Sequence, residues 1–415
     1  MRNPSPHSWA KRSRSNCGST SNSTTTNDDP LTPNRTRDVI RPPEWRPCSQ
    51  SIRSTSKNLL NVKLKNILSA LIAGGVASLL ALSNVHAATG ANADQFEIAK
   101  RYGLEGGERW DYVAYDAVRQ HLFISRDTHV QVIDTRSGKP VGEIANTDGV
   151  HGFAFVEDLK LGFVTNGRAN TVSVVDLDTL KVVDSIKAAG PDPDGILYVP
   201  ALRRIFVSNG HDGSVSAIDV ATRKVVATMS VGGKPEALAA DSHGHVFVNV
   251  EDRAEIVEMD GRSATVLAHW PLARCESPTG LAIDPASERL FSVCANHRMM
   301  IVDATSGRRV AEVLIGGHPD AAAFDPALKL AFSSNGADGT LTIVHEDDAD
   351  HYTVAQNMPT LEGAKTMALD EQQHRIYLVS SKFGAADPGT AANSHPRATV
   401  IPGTFEVLEA QLKAR

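Results

Sequence analysis

A short register recurs seven times along this chain and constrains its fold more than any single residue does. Tyr112-Val-Ala-Tyr-Asp116 aligns with Gly152-Phe-Ala-Phe-Val156, Gly195-Ile-Leu-Tyr-Val199 and Ala237-Leu-Ala-Ala-Asp241. Gly280-Leu-Ala-Ile-Asp284, Ala321-Ala-Ala-Phe-Asp325 and Thr366-Met-Ala-Leu-Asp370 continue it, and the starts lie 40 to 45 residues apart. After each start come a short turn, a β-rich run such as Phe163-Val-Thr-Asn166 or Phe206-Val-Ser-Asn209, and a polar loop that is often Asn-Gly. An alternating strand ending in Asp follows, then a tight turn and a fourth strand.

Four short strands cannot bury both faces of a lone sheet, but sheets packed radially around an axis can. The fold class is therefore all-β, a seven-bladed propeller of four-stranded antiparallel blades. Innermost strands crowd at the axis and call for small side chains. Ala114, Ala154, Ala239, Ala282, Ala323 and Ala368 stand at one frame position, with Leu197 the exception. The segment Phe96–Tyr102 reads as a fourth strand with no unit before it, so we expect it to pair into the last blade and close the ring. The third strand of that blade is expected within Ala398–Phe405, continuing towards Leu412. The propeller spans 92–412.

Ahead of it the chain changes character. Residues 1–87 hold 12 Lys/Arg and 4 Asp/Glu, which leaves 42 − 12 = 30 basic and 48 − 4 = 44 acidic groups in the rest. A body with net charge −14 is a poor general binder of nucleic acid. Residues 1–61, rich in Ser, Thr, Asn, Arg and Pro, read as an N-terminal extension, disordered or upstream of a true start at Val62. Residues 62–87 read as a signal peptide cut after Ala87: Lys63 and Lys65, an apolar run from Ile67 to Leu82, then Val85-His-Ala87. The run has 16 residues, short of the roughly 20 that span a bilayer. The expected location is the periplasm or the medium, with no transmembrane segment in the mature protein.

The Phe-Val-Thr-Asn and Phe-Val-Ser-Asn runs, the Asn-Gly that follows them, and Val-x-x-Val/Ile-Asp before a basic strand resemble the YVTN β-propeller repeat family. The resemblance covers about residues 96–410 and implies a bacterial, exported propeller with a binding role. No unit has a Gly-His followed by a Trp-Asp, as WD repeats do. The Trp that quinoprotein blades dock is missing from every unit.

In such a ring the loops leading into the innermost strands and those between second and third strands open on one face. The first set places Asp111, His151, Asp194, Glu236, Thr279, Asp320 and Lys365 at a channel mouth; the second adds Arg168, His211, His297 and Asn335. Carboxylates and Asn carbonyls suit a hard cation, with Glu236, Asp320, Asp194 and Asn335 the candidate ligands, and histidines add softer ones. The same residues have a structural alternative. Acids after Pro can bind loop amides, and Asn-Gly satisfies a tight turn. A feature shared by several blades serves the blade, so the departures His151, Thr279 and Lys365 are the better functional candidates. Cys275 precedes a first strand and Cys294 ends the strand beside it, so a disulfide is expected.

No Ser-x-x-Lys, Gly-x-Ser-x-Gly, His-Glu-x-x-His or P-loop is present. The reading is a monomeric, non-catalytic scaffold for a protein partner or small polar ligand, without an organic cofactor. The alternative is a lactonase-like hydrolase with a divalent cation on the axis.

Overall fold

Among the described residues, short β-rich runs separated by turns build 28 strands in seven four-stranded antiparallel sheets. The computed structural model describes residues 95–385 and 398–414, and the expectations for 1–61 and 62–87 lie outside them. Blades one to six are 113–144, 150–187, 193–230, 235–271, 278–314 and 319–359, each with its strands side by side in chain order. Blade seven runs, from the axis outward, Met367–Asp370, Arg375–Ser380, Phe405–Leu412 and Phe96–Leu104. No helix among the described residues is long and apolar enough to cross a membrane.

The frame alanines have a partner that explains them. Ala114 faces Phe123, Ala154 faces Phe163, Ala239 faces Phe247, and Ala282 faces Phe291 across the first strand pair. Ala323 faces Phe332 and Ala368 faces Tyr377, while Leu197, the exception, still faces Phe206. All seven aromatic side chains are buried. A methyl group beside a ring leaves space for the next blade to pack where the blades converge. Ala154, for example, packs with Ile205 and Val207 of blade three. Ala239, Ala282, Ala323 and Leu197 also line one end of the axial channel.

Two residues earlier the innermost strand meets the backbone of the next blade. A Cβ on Gly280 would stand 2.5 Å from the backbone nitrogen of Ala322 in blade six, and one on Gly195 2.6 Å from the carbonyl of Glu236 in blade four.

Aspartates set the turns, as their positions imply. Asp134, Asp176, Asp219, Asp260 and Asp303 each accept a backbone N–H three residues on. Gly138, Leu180, Arg223, Ala264 and Gly307, four residues on from each, take positive φ.

The ring closes as expected: Phe96–Leu104 lies antiparallel to Phe405–Leu412, from Phe96 opposite Leu412 to Leu104 opposite Phe405. The strand starts at Phe96, inside the expected 92–412. Gln356 of blade six clasps it, accepting from the Phe96 amide (2.8 Å) and donating to the Phe96 carbonyl (2.9 Å). Buried Glu409 takes Lys100 (3.2 Å) and the Tyr102 hydroxyl (2.8 Å). Arg126, wholly buried, stacks 3.8 Å above the Phe405 ring. The third strand of blade seven is narrower than expected. It begins at Phe405; before it only Val400 bridges to Phe383, and Pro402-Gly403 turns the chain. Cys275 and Cys294 form a disulfide, with Cα atoms 5.4 Å apart.

Candidate functional site

The seven lead-in positions converge because the innermost strands are kinked where they start. Five of them slip register there, between Val150 and Phe153, Pro193 and Ile196, Pro235 and Leu238, Pro278 and Leu281, and Pro319 and Ala321. Such a bulge re-aims the side chain beside it. A polar side chain on the second strand of one blade then pins the carbonyl of the lead-in residue in the next. Thr165 donates to Asp194 O (2.6 Å), Ser208 to Glu236 O (2.6 Å), Asn249 to Thr279 O (3.0 Å) and Ser334 to Lys365 O (2.6 Å). Ser125 holds His151 O in the same way, and at the last joint Thr366, just ahead of the first strand of blade seven, holds Asp111 O. Six blade joints therefore fix the backbone of six candidate residues.

A cavity of about 760 Å³ opens on this face. Asp111, His151, Asp194, Glu236, Thr279, Asp320 and Lys365 line it, with Arg168 and His211 at its second-loop wall. Two candidates lie outside it. Asn335 is fully buried and donates to Thr340 and Thr342 in its own hairpin. Asn166 and Asn209 do the same in blades two and three, so the repeated Asn braces the blade. His297 is exposed beside Asp338.

The acids at the mouth pair with cations rather than with amides. His151 Nδ1 lies 2.6 Å from Asp111 and 3.7 Å from Asp194, and its Nε2 lies 3.7 Å from Asp192. Lys365 bridges Asp111 (3.4 Å) and Asp320. Lys234 reaches Glu236 (2.6 Å) and Glu251 (2.5 Å). Amide capping falls to other acids: Asp252 accepts from Lys234 N and Asp338 from Gly317 N, both at 2.7 Å.

Burial opposes charge on His151, but the hydrogen bond to Asp111 and the charges of Asp194, Asp111 and Asp192 raise it to about 9. Burial also works against an ionised Asp111, yet Lys365 and His151 prevail and hold it below the usual carboxylate range. The reverse holds nearby. Burial, with neighbouring acids, pushes Asp194 up to about 7 and Glu236 up to about 8, and it raises Asp320 despite Lys365.

These directions set a pH dependence. A carboxyl raised on folding contributes stability at low pH and loses it as it ionises. Asp194 loses its share between about 4 and 7, and Glu236 between about 4.5 and 8. The contribution of His151 is present below about 6.5 and lost as pH rises through about 9. Asp194→Asn is therefore expected to raise the melting temperature at pH 8 and leave it near the wild-type value at pH 4; scanning calorimetry at both pH values checks this.

Among the described residues, Asp111, His151 and Asp194 have ligand atoms within 4.8 Å of one another, a set that shares only Asp194 with the metal ligands expected. A cation there would compete with the proton that the two aspartates hold on His151.

Several lining residues were not picked out from sequence: Tyr112, Lys234, Asp192, Trp110 and Phe383. Tyr112 had a signal. It is the one bulky residue in a frame column otherwise filled by Gly152, Gly195, Ala237, Gly280, Ala321 and Thr366. It lines both the mouth and a smaller space of about 160 Å³, so it stands where the two meet. Burial and then the charges of Asp194, Glu236, Asp111 and Asp320 raise its phenol far above the ordinary value.

Among solved structures the fold is similar to Kuenenia stuttgartiensis hydrazine synthase, with TM-score 0.59 and 18% identity over 67% of this chain and 93% of that one. It is similar to U3-55K, with TM-score 0.61 and 12% identity over 75% of this chain and 99% of that one. It is similar to a chain of the mitotic checkpoint complex, with TM-score 0.63 and 14% identity over 86% of this chain and 100% of that one. Identities this low speak for fold alone. No curated protein matches the sequence. Residues 120–246 match the YNCE-like beta-propeller family, and the described chain is a seven-bladed β-propeller.

Proposed function

We propose that this protein is a non-catalytic binding scaffold of the periplasm or the medium, and that the mouth carrying Asp111, His151, Asp194, Glu236, Thr279, Asp320 and Lys365 takes a small polar ligand or an inserted segment of a protein partner. The observation that carries the reading is the mouth itself: about 760 Å³, held by cross-blade hydrogen bonds and narrowing at Tyr112 to a space of about 160 Å³. A concave site with a few fixed polar groups suits binding. Its charged groups are engaged with one another. His151 carries a proton at neutral pH and is spent between two aspartates, which suits orientation more than proton abstraction. The disulfide and the apolar run from Ile67 to Leu82 support an oxidising compartment.

A thermal-shift screen of polar small molecules tests this, run on the protein and on Thr279→Trp, which puts an indole into the mouth in place of a hydroxyl. The expected result is a set of stabilising compounds that the variant no longer responds to. Hits equally strong in the variant, or metal-dependent turnover of a lactone panel, would overturn the reading.

A further inference from the structure

The charges at the mouth leave one gap. Lys365 stands between Asp320 and Asp111, and His151 between Asp111 and Asp194. Lys234 is drawn outward between Glu236 and Glu251. Asp194 and Glu236 follow one another in the ring, from blades three and four, and among the described residues no cation pairs with both. Oδ1 of Asp194 is buried without a hydrogen-bond partner, and the Glu236 side chain is only 9% exposed. A buried acceptor left open is costly, so something is expected to satisfy it.

Seven carboxylates line the mouth: Asp111, Asp127, Asp192, Asp194, Glu236, Glu251 and Asp320. Four Lys/Arg oppose them, Arg109, Arg168, Lys234 and Lys365, so once Asp194 and Glu236 ionise the acids outnumber the cations even with His151 charged. The walls also carry Trp110, Tyr112 and Phe383, whose ring faces attract organic cations.

We infer that the mouth binds an organic cation, a primary ammonium or guanidinium group, that fills the gap between Asp194 and Glu236 above the Tyr112 ring. This rests on the mouth being the binding site. The cavity is far larger than a bare ion needs and has aromatic walls, which favours an organic group over a metal.

Without the ligand, protons take its place. Asp194, raised to about 7, and Glu236, raised to about 8, hold protons that an arriving cation expels. Asp111, Asp192, Glu251, Asp320, His151, Lys234, Lys365 and Tyr112 face the same space, with Asp127, Arg109, Arg168 and His211 also lining it. Of these, His151 titrates near 9 and strengthens cation binding as it discharges. Affinity therefore rises from pH 6 to pH 8.5, and binding at pH 7 releases protons.

The probe is agmatine, titrated calorimetrically into the full chain at pH 6 and pH 8.5, in two buffers of different ionisation enthalpy. Succinate, 1,4-butanediol and Ca²⁺ are the comparison ligands. Asp194→Asn and Glu236→Gln keep side-chain shape and remove one charge each, and calorimetric melting checks their fold. The expected result is saturable agmatine binding, tighter at pH 8.5, with proton release, and weakened about tenfold in each variant. Tyr112→Phe keeps the ring and is expected to bind agmatine nearly as well as the native protein. No agmatine binding at millimolar concentration, or binding indifferent to both acid variants, overturns the inference. If succinate, butanediol or Ca²⁺ binds instead and Thr279→Trp abolishes it, the mouth stands as the site and the cation fails. If no ligand binds and the screen above also finds none, both fail.

Discussion

Removing residues 92–104 is expected to lower the melting temperature by about 10 °C or more. Phe96–Leu104 is the outer strand of blade seven and joins the two ends of the chain in one sheet. Its loss strips buried Phe96 from Phe332, an edge-to-face pair with centroids 5.4 Å apart, and takes Leu104 from the blade-seven core. Each such loss costs about 3 to 5 kcal/mol for an aromatic and about 2 to 5 for an aliphatic side chain. Glu409, fully buried, would lose Lys100 and Tyr102 and keep only Arg375, 3.6 Å away. The freed edge of Phe405–Leu412 would also become a site for pairing with other chains. Calorimetry with size-exclusion chromatography reads both effects; an unchanged melting temperature in a monomer would mean that the ring does not depend on this closure.

Replacing Gly280 by Ala tests crowding at the axis. The new methyl carbon would lie 2.5 to 2.7 Å from the backbone of Ala321 and Ala322 in the adjoining blade, and backbone cannot rotate aside as a side chain can. The expected cost is about 3 kcal/mol, at the upper end for overpacking. Gly103→Ala is the control, since nothing lies within 4 Å of a Cβ there. It is expected to stay within about 0.5 kcal/mol of the wild type. Denaturant melts of both variants decide the matter. Equal stability would place the convergence of the blades elsewhere.

Why the fold was legible follows from Gly280 and its equivalents. Packing at the axis imposes the same demand in each blade, so it recurs around the ring, as Ala in every blade but the third, where Leu197 stands, and as Phe across from it in every blade but the seventh, where Tyr377 stands. Repetition turns weak local preferences into a strong signal. Asn335 belongs to a residue repeated in blades two, three and six that braces its hairpin through the side chain, while the positive φ expected of the Asn-Gly pair falls later in each loop, at Asn170, Gly213 and Gly339. The end of blade seven was less clear because one irregular stretch, with Pro402-Gly403 before Phe405, occurs once and has no copies to average.

The site was legible by position and not by pairing. Lead-in residues could be placed at one mouth from the repeat frame alone. Which acid meets which cation depends on side-chain reach across blades. Lys234 sits two residues before Glu236, yet it also takes Glu251 from the neighbouring loop. Tyr112 was visible only on reading down a column for its exception. Exceptions in a repeat are where the chain departs from what the blade needs. His151, Lys365 and Tyr112 are three of them, and all three line the mouth.

The most direct measurement is the titration of the His151 ring by NMR, with Asp111→Asn alongside. The account rests on a mouth where that imidazole serves as a fixed cation between Asp111 and Asp194. It predicts a ring that keeps both protons until pH nears about 9, with the midpoint falling towards the ordinary histidine value in the variant. A midpoint at or below about 6.5 in the native protein, unmoved by the substitution, would contradict it.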